Sequence, residues 1–571
     1  MTARPYIWEK SYPPGILWDT PIVTTTVPAL IDSAAARFAD RSAIEFRDRQ
    51  LLYRDLADAS QRLAAGLLRL GAGRDTSVGI FLPNTPDHTI SFFAITRIGA
   101  RAVQLSPLDA EREIVHKIKD SGARVVLTIN LPGLLPMAQK LRAAGHIDLL
   151  IVADDERWGP GPVPPLPIVE GDGCVSLATL MKAELPARWP DISKDDIALL
   201  QYTGGTTGVP KGAMLTHANL TASCAMYDAW FNPQSSVKPG KVRVICALPL
   251  FHIFALSTVM LRNLSNGNEV MLRAKFDVET TFHDIEVKRA THMNGVPTMW
   301  IALCNAGVET RDLSSLVSCS SGGAPLPVEV EQRFEALTGK RLRSGIGMTE
   351  TSPAACTQPV VLRGKPGSCG LPLPGVYVDV VSLDDPQRVL GFGETGEIRI
   401  SGANVAGGYW NRAAESAETF VDGRFMSGDI GYMDDDGYVW VVDRKKDLVI
   451  SGGFNVYPRV VEEAIYEHPG VHEAIVIGVP DSYRGETIKA YVTTKPGAAP
   501  LSLETLRAFL ADKIGRQEMP TALEIRDTLP RTTVGKLSKK ELVEEEKKKF
   551  KSSAAPAAEL STGKPPLNVR S

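Results

Sequence analysis

Thr203-Gly204-Gly205-Thr206-Thr207-Gly208-Val209-Pro210-Lys211-Gly212 is the stretch whose reading decides the fold. Gly204, Gly205 and Gly208 let backbone N–H groups approach an anion closely, the threonines add hydroxyl donors, and Lys211 supplies a mobile cation. The common ATP-binding loop needs Gly-x-x-x-x-Gly-Lys followed by Ser or Thr. Here Pro210 precedes the lysine and Gly212 follows it, so this is a different phosphate cradle. Alone, a Gly/Thr run also suits an exposed linker. The flanks separate the two readings: Ile197-Ala198-Leu199-Leu200 enters the run like a strand, and Ala213 to Leu220 leaves it.

Upstream, helical and strand-like segments alternate. Leu56, Ala59, Leu63, Leu67 and Leu70 have helical spacing and are followed by Gly71. Val78–Leu82 reads as a buried strand, Asp87–Ile98 as a helix, and Ala102–Leu105, Val125–Ile129 and Leu149–Val152 as further strands. Such alternation predicts mostly parallel sheets covered by helices. The Pro/Gly-rich residues 158–170 read as a surface loop. From about residue 390 the strand-like Glu397–Gly402 and Gly437–Val442 form a smaller β element. A compact α+β pattern follows: helices at Val460–Ile465 and Leu503–Leu510, strands at Glu473–Val479 and Ala490–Thr494. The fold class is therefore α/β, with a large N-terminal domain (1–443) of parallel and mixed sheets and a small, mobile α+β C-terminal domain (444–550). Glu544 to Lys549 reads as a solvated helix end, and the Ala/Pro/Ser-rich residues 551–571 as a disordered tail.

In 571 residues, 44% hydrophobic and 23% charged, the composition is that of a globular protein with a large core. A net charge of −3, from 63 basic and 66 acidic residues, argues against a nucleic-acid binder. Seven scattered cysteines without a CxxC pair suit a reducing compartment rather than a disulfide framework or a zinc site. Met1 to Tyr6 lacks a secretory apolar core, and no run approaches the ~18 apolar residues of a membrane span. A cytoplasmic location is expected, with peripheral membrane contact open.

Other segments carry chemistry. Ser321-Gly322-Gly323-Ala324-Pro325 follows the apolar Leu316-Val317, a strand-to-turn placement where α/β sheets bind ligands. In Gly345-Ile346-Gly347-Met348-Thr349-Glu350, a hydroxyl beside a carboxylate suits a phosphate with a hard divalent cation. Asp429, in Ser427-Gly428-Asp429, can accept two hydrogen bonds from vicinal ribose hydroxyls, and Arg444 can add planar donors. Each segment alone also reads as a turn or a surface ion pair. Pro530-Arg531-Thr532-Thr533-Val534-Gly535-Lys536 alone reads as surface, and His252, after Pro249-Leu250-Phe251, alone reads as structural.

Together and in this order, these segments resemble the adenylate-forming superfamily of acyl-CoA synthetases, luciferases and peptide-synthetase adenylation domains, over roughly residues 30–545. The resemblance implies ATP, Mg²⁺ and coenzyme A. Thr203 to Lys211 (Gly204, Gly205, Thr206, Thr207 and Gly208 among them) would hold the β- and γ-phosphates, and Gly322, Gly323 and Ala324 would line the adenine pocket. Within Gly345 to Met348, Ile346 stands where relatives usually place an aromatic residue to stack on adenine; it lacks a π-face. Thr349 would contact the α-phosphate, Glu350 would bind Mg²⁺, and Asp429 with Arg444 would grip the ribose. Lys536 matches the lysine bridging carboxylate and α-phosphate, Lys446 the hinge, Gly452 and Gly453 the pantetheine loop, and His252 the acyl and pantetheine site.

Tyr12-Pro13-Pro14-Gly15-Ile16 and Gly535–Lys540 look like bacterial long-chain acyl-CoA synthetases. The expected activity is therefore an AMP-forming acid–thiol ligase on a medium- or long-chain fatty acid. A dicarboxylate such as pimelate, an aromatic acid, and a CoA-independent adenylating enzyme stay open. Pocket depth depends on packing around Asn294–Trp300 and Cys319–Ala324. A non-catalytic sensor is disfavoured by the presence of Glu350, Asp429 and Lys536 together.

Overall fold

A computed structural model describes residues 4–203, 209–451, 454–481, 484–532 and 535–553. The chain divides into two units: Met1–Lys446 with Thr533–Lys536, and Asp447–Thr532 with Leu537–Ser571.

The first unit is built on two large sheets. One has seven strands among the described residues. They include β1 (Ser77–Ile80), β2 (Arg101–Gln104), β3 (Val125–Ile129), β4 (Leu149–Ala153), β5 (Ile197–Thr203) and β6 (Lys211–Thr216). Pairing is parallel until β5 and β6, which form an antiparallel hairpin with Thr203 opposite Lys211. The expected helices flank this sheet. Pro86–Arg97 (α1) begins with proline at its first position and is buried along its whole length, which explains why it has no polar stripe. His217–Phe231 (α2) opens on a reciprocal cap, Thr216 Oγ1 accepting the Asn219 N–H at 3.1 Å and Asn219 Oδ1 the Thr216 N–H at 2.9 Å.

The second sheet has nine strands, among them β7 (Arg243–Cys246), β8 (His292–Gly295), β9 (Ser318–Ser321) and β10 (Leu342–Ile346), mutually parallel in the order β10-β9-β8-β7. A smaller five-stranded antiparallel sheet carries β11 (Arg424–Met433) against β12 (Val439–Arg444). Its core reaches back to the N-terminus: Trp8 and Tyr12 are buried, Tyr6 stacks with Trp8 at 4.7 Å, and the Tyr12 hydroxyl donates to the Pro372 carbonyl. Trp8 backs against Gly437, where φ is +84° and an added Cβ would fall 2.4 Å from the Trp8 backbone.

The second unit pairs β13 (Val471–Asp481) antiparallel with β14 (Gly485–Thr494) and packs helices Pro458–Tyr466 and Leu503–Leu510 on a core including Val461, Val476, Val492 and Leu506. One expectation needs correcting here. The acidic run inside helix Lys540–Ser553 is more than solvated surface: Glu546 accepts from the Tyr491 hydroxyl at 2.8 Å and pairs with Lys489 at 3.1 Å, and Glu545 pairs with Arg526 at 2.5 Å. These acids fasten the helix to the sheet, while Lys547, Lys548 and Lys549 stay exposed. Residues 551–553 of the expected tail (551–571) complete this helix instead, and residues 554–571 lie outside the described residues. All seven cysteines are free thiols. No helix among the described residues is long and apolar enough to cross a membrane.

Candidate active site

Gly204, Gly205, Thr206, Thr207, Gly208, Gly452 and Gly453 lie outside the described residues. The ends of the Gly/Thr run do not: Thr203 closes β5 directly opposite Lys211, which opens β6. Residues 408–410 run along β6, with Met214 N–H donating to Gly408 O and Trp410 N–H to Gly212 O. That pairing brings in a residue the motifs had not flagged. The Lys211 ammonium lies 5.3 Å from the Tyr409 ring centroid, and the Tyr409 hydroxyl donates to Glu350 Oε1 at 2.6 Å. Burial and the Glu350 charge push the Tyr409 phenol well above its ordinary range, so it remains a donor.

Glu350 itself is buried, in the single turn Thr349–Thr351 after β10, and its carbonyl accepts the Ala406 N–H at 2.8 Å. One carboxylate oxygen is taken by Tyr409, which leaves the other for a cation. Gly345, Ile346 and Met348 form the approach. Gly347 between them is obligatory, since an added Cβ would lie 1.3 Å from the Pro353 carbonyl oxygen. Ile346 pairs with Cys356 across the sheet and packs, with Met348, against the apolar core beneath.

On the β11–β12 ladder Asp429 stands opposite Arg444, and Arg444 Nε meets Asp429 Oδ1 at 2.5 Å. Asp429 is buried while Arg444 is half exposed, so the pair presents guanidinium N–H groups outward. Glu397 braces the turn: it accepts the Gly428 N–H at 3.0 Å and pairs with Lys445 at 2.8 Å.

Gly322, Gly323 and Ala324 follow β9 directly. An added Cβ on Gly322 would press the Phe254 ring at 3.0 Å. Gly323 (φ +77°) is exposed, with its virtual Cβ 3.1 Å from Lys536 Cε and 3.3 Å from Nζ. Burial, then the charge of Arg444, brings the Lys536 amine down to about 8. His252 is lowered to about 3 by burial and then by Lys536, so its imidazole is neutral.

The His252 segment is held by two further side chains that no motif flagged. Asn84, after β1, donates to Leu248 O at 2.9 Å and Arg273 O at 3.0 Å and accepts the Leu250 N–H at 2.7 Å. Gln201, on β5, donates to Phe251 O at 2.9 Å.

Asp429, Arg444, Lys536, His252 and Gly323 thus form one group, and Lys211, Tyr409 and Glu350 another. Thr349 is half-buried beside Glu350. Residues 31–410 match the AMP-binding enzyme family, and residues 460–536 match the AMP-binding enzyme C-terminal domain. This chain is an AMP-binding enzyme. Among similar proteins, a long-chain-fatty-acid–CoA ligase of Bacillus subtilis is 38% identical over 554 residues, 94% of this chain and 98% of that one. A feruloyl-CoA synthase of an Amycolatopsis species is 36% identical over 510 residues, 88% and 95% of the two chains. Among AMP-binding enzymes of known structure, ATP-bound MatB from Rhodopseudomonas palustris superposes with a TM-score of 0.81 at 28% identity, covering 92% of this chain and all of that one.

Proposed function

We infer that this protein is an ATP-dependent carboxylate–CoA ligase that activates a medium- or long-chain fatty acid as its acyl-adenylate, releases pyrophosphate, and passes the acyl group to coenzyme A. The carrying observation is the Lys536 amine set against Gly323 with Arg444 and Asp429 beside it.

A carboxylate resists thiol attack because oxide would have to leave; esterifying it with AMP installs a leaving group and divides one hard step into two easier ones. In the first step a carboxylate oxygen attacks the α-phosphorus and pyrophosphate departs. In the second the thiol sulfur attacks the acyl carbonyl and AMP departs. Both steps build charge on phosphate oxygens, so fixed cations do most of the work. Lys536 would bridge carboxylate and α-phosphate, with Thr349 donating to the same phosphate. The Gly/Thr run with Lys211 would hold pyrophosphate, and Asp429 with Arg444 the ribose. Glu350, with one oxygen on Tyr409 and one left over, suits Mg²⁺, a hard ion held by one carboxylate, phosphates and water. Magnesium would neutralise charge developing on the phosphates. Gly322, Gly323 and Ala324 would flank the adenine, with Ile346 covering the base by dispersion. Residues from 447 onward would act as the lid, turning about Lys446, with Gly452 and Gly453 on the pantetheine side. His252, neutral and in a segment held by Asn84 and Gln201, would lie on the acyl side. The seven free thiols favour work in a reducing cytoplasm.

The test is AMP release over straight-chain acids of increasing length, with and without coenzyme A. Release that requires coenzyme A and matches thioester formation supports the reading. Turnover to a free product without coenzyme A overturns it.

A further inference from the structure

Strands β8, β9 and β10 lie inside the nine-stranded sheet, where both faces are ordinarily apolar. One face is apolar through Met293, Cys319 and Leu342, all buried, and turns polar only at Ser321 and Ser344 at its end. The other is not. Parallel register places His292 beside Ser318, Asn294 beside Ser320, and Ser320 beside Arg343, so these five side chains share a face. His292, Asn294, Ser318 and Ser320 are half-buried, so this face opens to solvent in mid-sheet.

Arg343 is only 6% exposed, donates to Ser318 Oγ at 2.6 Å, and pairs with no carboxylate among the described residues. The next cation over this face, Arg262, is already neutralised by Asp228 at 2.9 Å. Buried arginines are ordinarily paired, because an uncompensated buried charge is costly. Asn294 and Ser320 likewise make no side-chain hydrogen bond to described residues. Apart from the Arg343–Ser318 bond, the donors on this face are turned to solvent rather than to protein acceptors.

The face is continuous with the reacting centre. Ser320 lies three residues before Gly323, where the Lys536 amine sits, and Ser318 five residues before it. At ~3.3 Å per residue the polar strip extends about 16 Å from the amine. A purely hydrocarbon chain along it would strip water from Asn294, Ser320 and Arg343 and return no hydrogen bond, which the energetics of burial disfavour.

We propose that the acid this ligase activates carries an anionic oxygen function at its far end, a second carboxylate, received by Arg343 with Ser318, Ser320 and Asn294 along the way. This rests on the carboxylate–CoA ligase reading above and replaces its monocarboxylic fatty acid with a long-chain dicarboxylic one.

The experiment compares chain-matched pairs, such as dodecanoate and dodecanedioate, in the AMP-release and thioester assays. For the wild type, kcat/KM should favour the dicarboxylate at some chain length. Arg343→Met should lower dicarboxylate kcat/KM by about tenfold or more and leave the monocarboxylate unchanged or faster, because a site built for a polar group discriminates strongly against its loss. Arg343→Lys should keep part of the preference. Should Arg343→Met fail to fold, Asn294→Leu tests the same face and should shift preference toward the monocarboxylate. A wild type that favours the monocarboxylate at every length, or variants that leave the ratio untouched, would overturn the proposal while the ligase reading stands. Absence of AMP release with either acid of every pair would sink both.

Discussion

Lys536 offers the sharpest test of the adenylation step. Its amine titrates near 8 rather than 10.5, because burial and Arg444 both disfavour the charge. That shift corresponds to roughly 3 kcal/mol of disfavour toward the protonated form. A lysine with a lowered value is charged below about 8 and neutral above it. If the charge bridges carboxylate and α-phosphate, adenylation measured as kcat/KM should be level below pH 7 and halved near pH 8. By pH 9 it should have fallen to about a tenth. The assay is acid-dependent exchange of labelled pyrophosphate into ATP, run without coenzyme A from pH 6 to 10. Lys536→Ala should lose about a hundredfold or more and show no limb near 8. Lys536→Arg, permanently charged, should be slower than wild type but flat across that range. Thioester formation from supplied acyl-adenylate should follow neither pattern. Bound ATP, bringing negative charge to the amine, should move the limb upward in kcat. A wild-type profile level to pH 10, or an arginine variant with the same fall near 8, would refute the assignment.

Tyr409→Phe removes the donor to Glu350, and a hydrogen bond to a charged group is worth about 1.5–3 kcal/mol, so the Mg²⁺ concentration for half-maximal rate should rise about tenfold; an unchanged magnesium titration would discard the link. Asn84→Ala strands the Leu250 N–H and two carbonyls, so thioester formation should suffer more than pyrophosphate exchange, read from the two half-reactions separately; equal losses would argue that the clamp serves folding alone. Gly347→Ala drives a methyl into the Pro353 carbonyl and should cost several kcal/mol, visible as a fall in the melting midpoint; a normal melt would contradict the local geometry.

Legibility in the sequence followed how local each signal is. Val125–Ile129 is an apolar, β-branched run, and it forms a buried strand as expected. Ser318-Cys319-Ser320-Ser321 has no such signature and is a strand only because β8 and β10 supply ladder partners on either side. The residues proposed for phosphate and ribose can be put forward from sequence alone because glycines, a carboxylate and a lysine at fixed offsets mark their turns. Tyr409 cannot, since it lies 59 residues from Glu350 and meets it only through the pairing of 408–410 with β6. Asn84 reaches Leu250 across 166 residues, and the Pro83-Asn84 pair in the sequence marks only the end of a strand, not so distant a partner. The anchoring of Glu545 and Glu546 is hidden from the sequence for the same reason, while Glu544 is exposed as expected: the partners Lys489, Tyr491 and Arg526 come from distant strand and loop positions.

The aromatic segment at the N-terminus has a consequence for synthesis. Tyr6, Trp8 and Tyr12 leave the ribosome well before the rest of the core that buries them, which also needs Tyr377, Ile398, Phe425 and Val439. At ~5–20 residues per second the intervening stretch of roughly 420 residues takes some 20–80 s to emerge. For that interval three large apolar side chains are without their native cover, and the smaller antiparallel sheet cannot close. Sensitivity of yield to a bulky fusion placed just before Tyr6 follows from where those rings finally rest.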